Sequence, residues 1–327
     1  MPGSPRLTLQ RIDEAARLID PVFLSSPQYE CEPLSDVLGV RLVLKVETCN
    51  PIRSFKGRGA ELFLARDADD TPLVCASAGN FGQALAYACR SRALHLTVFA
   101  SERANPLKVA RMRALGADVR LYGDDFDAAK GAARAFAAAR GLRFVEDGRE
   151  PAIAEGAGTI ALELLAAEPA LDALFVPLGN GALLAGIATV VRARHPSVRV
   201  VAVAARGAPA MVASLAAGRI VVTERVDTIA DGIAIREPVP EALEDLAGVV
   251  DATCLVDDAD IVRGMRLLHR HAGFVVEPSG AVGVAALLGE ARAWRGARIA
   301  TILCGGNLTP EQVAAWLGEL PSDVDVG

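Results

Sequence analysis

Residues 50–60 read NPIRSFKGRGA, which sets one lysine, Lys56, between a phenylalanine and a glycine, with Arg53 and Arg58 close on either side. The stretch looks too broken for a good helix or strand. An uncharged lysine amine attacks aldehydes and abstracts protons, and burial favours that uncharged form. Taken alone, the same residues read as readily as a solvated basic turn. The rest of the chain has to decide.

Ligands of open parallel sheets gather beyond the carboxyl ends of the strands, and four further polar or glycine-bearing segments have that setting. In SAGNFGQ (77–83), Gly79 permits a tight turn, while Ser77, Asn80 and the free helix-start N–H groups can receive an anionic or carbonyl oxygen. A well-capped βα turn is the alternative. In VPLGNGALLAGI, Gly179, Asn180, Gly181 and Ala182 offer successive N–H groups at a positive helix end, which holds a phosphate without any lysine. A purely structural turn is again the alternative. Neither GxGxxG nor a Walker lysine motif is present, so a small monophosphate suits it better than a dinucleotide or nucleoside triphosphate. ILCGGN (302–307) reads as a buried strand ending in the Cys304 thiol, a position where a lone cysteine is often an inert small hydrophobe. VVEPSGAVGVAAL places Glu277 at an expected strand end before a helix, with Ser279 as its cap, or else a solvated glutamate beside a proline.

The elements that must position these residues form a βα rhythm. Strand-like LVCAS, HLTVFA, ADVRLY and LRFVED begin near residues 73, 95, 117 and 142, with helical segments between them. NFGQALAYACRS puts Phe81, Leu85, Ala88 and Cys89 on one helical face, and NPLKVARMRALG predicts a face of Leu107, Ala110, Met112 and Leu115. A small α/β domain over 72–149 follows. Beyond it, helix EGAGTIALELLAAE, strand DALFVPL, helix GALLAGIATVVRAR and strand VRVVAVAA resume the same architecture. The strand VRLVLKVE has nothing large enough near it to cover it, so residues 1–71 are expected to join 150–327 as a larger domain, with the smaller one inserted. A ligand cleft is expected between the two.

Bulk properties bound the function. The chain has 327 residues, 52% of them apolar but only 5% aromatic, a balance that suits helices packed on parallel strands. A net charge of −6 with scattered arginines argues against a nucleic-acid partner. Residues 173–191 carry no charge, yet Pro177, Gly179, Asn180 and Gly181 break them, so no membrane span is expected. The six cysteines show no CxxC spacing and the first twenty residues no apolar signal core, which points to a reducing cytoplasm.

In order and spacing, KVETCNPIRSFKGRGA, SAGNFGQALA, ANPLKVARMRALGADV, EGAGTIALEL, VPLGNGALLAGI, GAPAMVASLAAG, TIADGIAIREP, EPSGAVGVAAL and CGGN resemble the fold-type II pyridoxal-phosphate enzymes, in the threonine/serine dehydratase and serine racemase branch, from about Pro21 to about Leu317. The resemblance implies a tryptophan-synthase-β-like fold, pyridoxal 5'-phosphate as cofactor, an amino-acid substrate and a homodimer. It makes Lys56 the lysine that joins the cofactor aldehyde and, once free, takes the substrate α-proton. Phe55 would pack on the pyridine ring, Asn80 would bond its phenolic oxygen, Gly232 would flank it and Cys304 would meet its nitrogen. Glu277 falls in the same cofactor shell. Gly179, Asn180, Gly181, Ala182 and Leu183 would bind the phosphate. Ser77, Ala78, Gly79, Asn80 and Phe81 would form the substrate loop, with Ser77, Asn80 and N–H groups of the turn on the substrate carboxylate.

The expected reaction is loss of water from a β-hydroxy amino acid, ending in a 2-oxo acid and ammonia. β-Replacement, racemisation and non-catalytic cofactor binding are the rivals. Ala78 stands where serine racemases carry a second-face acid/base serine, which disfavours racemisation. Phe81 replaces the histidine of SxGNH dehydratases; it either enlarges the apolar wall for a bulkier substrate such as a phenylserine, or simply faces the core. Ala204 and Ala210 supply no carboxylate for the divalent cation of some relatives, so no divalent metal is expected. The chain stops soon after PEQVAAWLGEL, so a C-terminal regulatory domain and feedback by isoleucine are not expected.

Overall fold

The computed structural model describes residues 5–66 and 71–318. Strands β1 (Gln28–Glu30) and β2 (Arg41–Val46) come first, then β3 (Leu73–Ala76), β4 (Leu96–Ala100), β5 (Asp118–Leu121) and β6 (Arg143–Val145). β7 (Ala173–Pro177), β8 (Arg199–Ala205), β9 (Ala252–Val256) and β10 (Arg298–Leu303) complete the set. They form a six-stranded sheet of order β1-β2-β10-β7-β8-β9 and a four-stranded sheet of order β5-β4-β3-β6. Every pair is parallel except β1 with β2. This is the α/β architecture the βα rhythm predicts, with one mixed and one parallel sheet.

The central strands β2, β7, β8 and β10 are almost wholly buried, because helices cover both faces and leave little room for polar alternation. The uncharged stretch 173–191 resolves into β7, the glycine loop and part of helix Ala182–Arg194. Among the described residues no helix is long and apolar enough to cross a membrane.

Three local expectations change. The lysine segment does not stay irregular: Lys56 opens helix Lys56–Arg66. Its glycines serve close packing, since a Cβ on Gly59 would lie 2.6 Å from the Ile153 carbonyl oxygen and one on Gly156 2.6 Å from that of Arg58. Helix Pro106–Ala114 turns inward Lys108, Val109 and Met112, while Ala110 is exposed and Leu107 only partly buried. Burial of a lysine there is offset by a carboxylate partner described below. Finally, Val275 and Val276 form no strand. Both edges of β10 are taken by β2 and β7, and Pro278 has no N–H to give a ladder, so Glu277 instead ends a loop as N-cap of helix Pro278–Glu290. Ser279 sits inside that helix rather than capping it.

Candidate active site

Strands β3, β6, β7 and β10 end at one cleft of about 660 Å³, as parallel sheets place their ligand sites. Every residue that the sequence named for the site borders it. Lys56, at the N-terminus of its helix, is mostly buried, with Nζ 4.8 Å from the Phe55 ring centre and 5.9 Å from that of Phe81. Phe81 is 6% exposed within the core and also borders the cleft near the amine. The lysine is not simply enclosed by glycine. Its Nζ lies 2.5 Å from Oδ2 of Asp147, two residues past β6.

The turn after β3 is internally braced. The Ser77 hydroxyl oxygen accepts from the N–H groups of Gly79 at 3.2 Å and Gly82 at 2.9 Å. Ser77 thus shapes the turn and occupies two of the donors that the sequence left free for a ligand. Asn80 is oriented from both ends: its Nδ2 donates to Glu277 Oε1 at 2.7 Å, and its Oδ1 accepts from Asn307 Nδ2 at 2.8 Å. Glu277 also accepts from Ser279 Oγ at 2.8 Å and the Asn307 N–H at 3.3 Å. Burial pushes the Glu277 carboxyl up, against the pull of Lys108. Cys304, directly after β10, is pushed up to about 12 by burial and by the Glu277 charge, so it stays a neutral thiol. Gly232 is required by crowding here, because a Cβ would stand 2.8 Å from Ser279 Oγ.

The loop after β7 runs through Gly179 and Gly181 into helix Ala182–Arg194. Gly181 has φ +97°, which side chains rarely adopt, and a Cβ on Gly179 would lie 3.0 Å from Ile233 Cα. The result is a bare main-chain cradle at the positive end of a 13-residue helix, the chemistry an organic phosphate needs. An amine within reach of an aldehyde, this cradle and a neutral thiol for an unprotonated ring nitrogen together fit pyridoxal phosphate.

A family profile described as "Pyridoxal-phosphate dependent enzyme" matches residues 19–305. The chain belongs to this family. L-threonine ammonia-lyase of Thermotoga maritima is 34% identical over 92% of this chain and 76% of its own length. That of Geobacter sulfurreducens is 35% identical over 86% and 70%. Among solved structures, a T.th. threonine deaminase superposes with a TM-score of 0.87 at 33% identity, covering 92% of this chain and 99% of that one. Maize serine racemase gives 0.88 at 27% identity, covering 95% and 96%.

Two further features of this pyridoxal-phosphate enzyme's cleft escape a reading of the sequence. Lys108, 2% exposed, reaches from the small sheet's side to Asp231 across the cleft, Nζ to Oδ2 2.6 Å. Burial alone would lower its proton affinity, but the charges of Glu277 and Asp231 outweigh it and raise it, so it is held as a cation. No local signal marks Lys108, since the sequence pattern turns a neighbouring face of its helix inward. Asp147 does carry a signal, a carboxylate at the carboxyl end of strand LRFVED, but locally it is no more than the strand's tail.

Proposed function

We propose that the protein is a pyridoxal-phosphate-dependent ammonia-lyase that eliminates water from a β-hydroxy amino acid, threonine, serine or a bulkier analogue, and yields a 2-oxo acid and ammonia. The observation that carries this reading is the convergence of Lys56, the Gly179–Gly181 cradle and the neutral Cys304 on one cleft, in a chain about a third identical to threonine ammonia-lyases. When bound, the cofactor supplies the electron sink for carbanion chemistry. Lys56 would hold its aldehyde and, when free, take the α-proton. N–H groups of Gly179, Asn180, Gly181, Ala182 and Leu183 would hold its phosphate, Phe55 and Gly232 would flank the ring, and Asn80 would orient it. Cys304 would leave the ring nitrogen without a fixed charge, and Glu277 would lock Asn80 in place. Ser77 would support the substrate loop 77–81 through its bonds to Gly79 and Gly82.

Ala78 offers no hydroxyl for a second face, which favours elimination over racemisation. Phe55, Phe81, Phe126 and Phe144 border the cleft and would offer apolar surface to a side chain larger than a methyl group. The division into a large domain, 1–71 plus 150–327, and a small one, 72–149, belongs to the same reading and is supported by the two separate sheets. So does a homodimer in a reducing cytoplasm, the latter supported by six free cysteines.

The test incubates holoenzyme with both enantiomers of serine, threonine, hydroxyaspartate and phenylserine and quantifies ammonia and oxo acid. Equal release of both from at least one compound is expected. No release of either, with a new β-substituted amino acid formed when a nucleophile is added, would make the enzyme a β-replacement synthase. Cofactor binding with no release from any compound would make it a non-catalytic binder.

A further inference from the structure

A substrate carboxylate held at the turn 77–81 needs charge as well as donors, and the turn has committed much of its own polarity. The Ser77 oxygen takes the N–H groups of Gly79 and Gly82, and the Asn80 amide is bonded to Glu277 and Asn307. Beside that turn stands an ammonium group. A Cβ built on Gly79 would meet Lys108 Nζ at 3.8 Å and Lys108 Cδ at 3.9 Å. Lys108 is 2% exposed and borders the cleft. Its Nζ donates to Asp231 Oδ2 at 2.6 Å, but an ammonium has three N–H donors, and the Asp231 side chain is half-exposed and also open to solvent. The other cations bordering the cleft, among the described residues, are engaged or outward: Lys56 with the cofactor in the reading above, Lys130 with Glu146 and Arg236 with Asp127, while Arg225 is exposed. Asp231 and Glu277 keep Lys108 charged, and Arg111 on the same helix adds a second cation, so two positive charges stand against two negative ones.

We propose that Lys108 is a substrate-binding residue, the buried charge that anchors the α-carboxylate of the amino acid at the turn 77–81. This rests on the reading of that turn as the substrate loop. N–H groups of the turn set the orientation of the carboxylate, and the ammonium supplies the attraction that neutral donors lack. Asp231 can turn to solvent when the substrate arrives, so Lys108 exchanges one carboxylate for another and neither charge is left buried and alone. An amino compound without a carboxylate gains nothing from Lys108, which makes the residue a determinant of selectivity for amino acids over their amides.

The test titrates holoenzyme of wild type, Lys108→Met, Lys108→Arg and Asp231→Asn with glycine and with glycinamide, and reads binding from the visible absorption of the bound cofactor. The two ligands share the amino group and differ in the carboxylate, and neither has a leaving group, so the result does not depend on elimination. Lys108→Met should weaken glycine about 10- to 100-fold, the scale of a hydrogen bond to a charged group, and glycinamide by less than about 3-fold. Comparing variant with wild type for each ligand cancels whatever the amide changes by itself. Lys108→Arg keeps the charge and should recover part of the loss. Asp231→Asn breaks the ion pair but leaves the ammonium, and should keep the preference for glycine. Lys108→Gln, uncharged but still a donor, gives the same comparison if the methionine variant holds no cofactor. Equal weakening of both ligands, unchanged glycine binding in Lys108→Met, or a loss in Asp231→Asn as large as in Lys108→Met would each overturn the anchor and leave the elimination reading to the product assay. If wild type responded to neither ligand, the turn would lose its role as the substrate loop, and the anchor with it.

Discussion

Lys56 and Arg58 stand two residues apart on one helix, yet they face opposite electrostatic worlds. Arg58 is fully buried in a closed network. Its guanidinium donates to Glu47 Oε2 and Oε1, each at 2.9 Å, to Glu163 at 2.6 and 3.0 Å, to Thr159 at 2.9 Å and to Ser26 at 3.1 Å. Lys45 adds a second cation, 2.6 Å from Glu163. The network ties β2 to the helices on either side of Gly59 and Gly156. Burial disfavours each charge, but the reciprocal bonds outweigh it: Arg58 is pushed up and Glu163 down to about 2. Around Lys56, by contrast, charge is left incompletely matched, with Asp147 Oδ1 unpaired and Glu277 and Cys304 both pushed up. Closed networks hold position, whereas groups left open or titrating out of range are free to meet a ligand.

The sharpest way to break this contrast is to exchange the consequences of the two residues. Lys56→Ala should lower turnover on the order of 10⁴-fold, the upper scale for a lost acid–base group, while the thermal midpoint stays near wild type. Wild-type-like activity in that variant would end the assignment of Lys56. Arg58→Met should do the reverse first: it strands Glu47 and Glu163 without their shared cation, a loss of about 3–5 kcal/mol that urea unfolding would read directly. If its unfolding midpoint were unchanged, the network would be ornamental to stability.

A smaller effect concerns acid. Because the Glu163 carboxyl falls from its ordinary 4.5 to about 2 on folding, its stabilisation is present above 4.5 and is lost as the pH drops through about 2. The thermal midpoint of wild type should therefore fall more steeply across that window than that of Glu163→Gln. Parallel curves would remove Glu163 from the account. The smallest effect is chemical. Cys304, buried and held as a thiol up to about 12, should resist iodoacetamide in the native protein at pH 8, while exposed Cys49 is alkylated, as peptide mass mapping would show. Rapid native labelling of Cys304 would contradict its neutral, enclosed state.

Much of this is readable from residues alone. Apolar runs such as LVCA and VVAVAA become buried parallel strands because a sheet covered on both faces tolerates little else. Glycine loops after strands become helix starts at a cleft, since the turn and the free N–H groups are local properties of a few residues. What departs from the sequence pattern depends on neighbours. Ser77 turns its hydroxyl into its own loop, Val275 and Val276 find no open strand edge, and the inward face of helix Pro106–Ala114 is set by a carboxylate on the far side of the cleft.

By itself, then, the sequence determined the chemical inventory: a reactive amine, a main-chain anion cradle, a thiol and the parallel sheets whose ends would display them. It could do so because propensity and turn chemistry act within a few residues. Only the tertiary structure decided which carboxylate meets Lys56, since Asp147 lies 91 residues away along the chain. That contact exists because sheet order brings the end of β6 to the start of helix Lys56–Arg66, and no local rule encodes it.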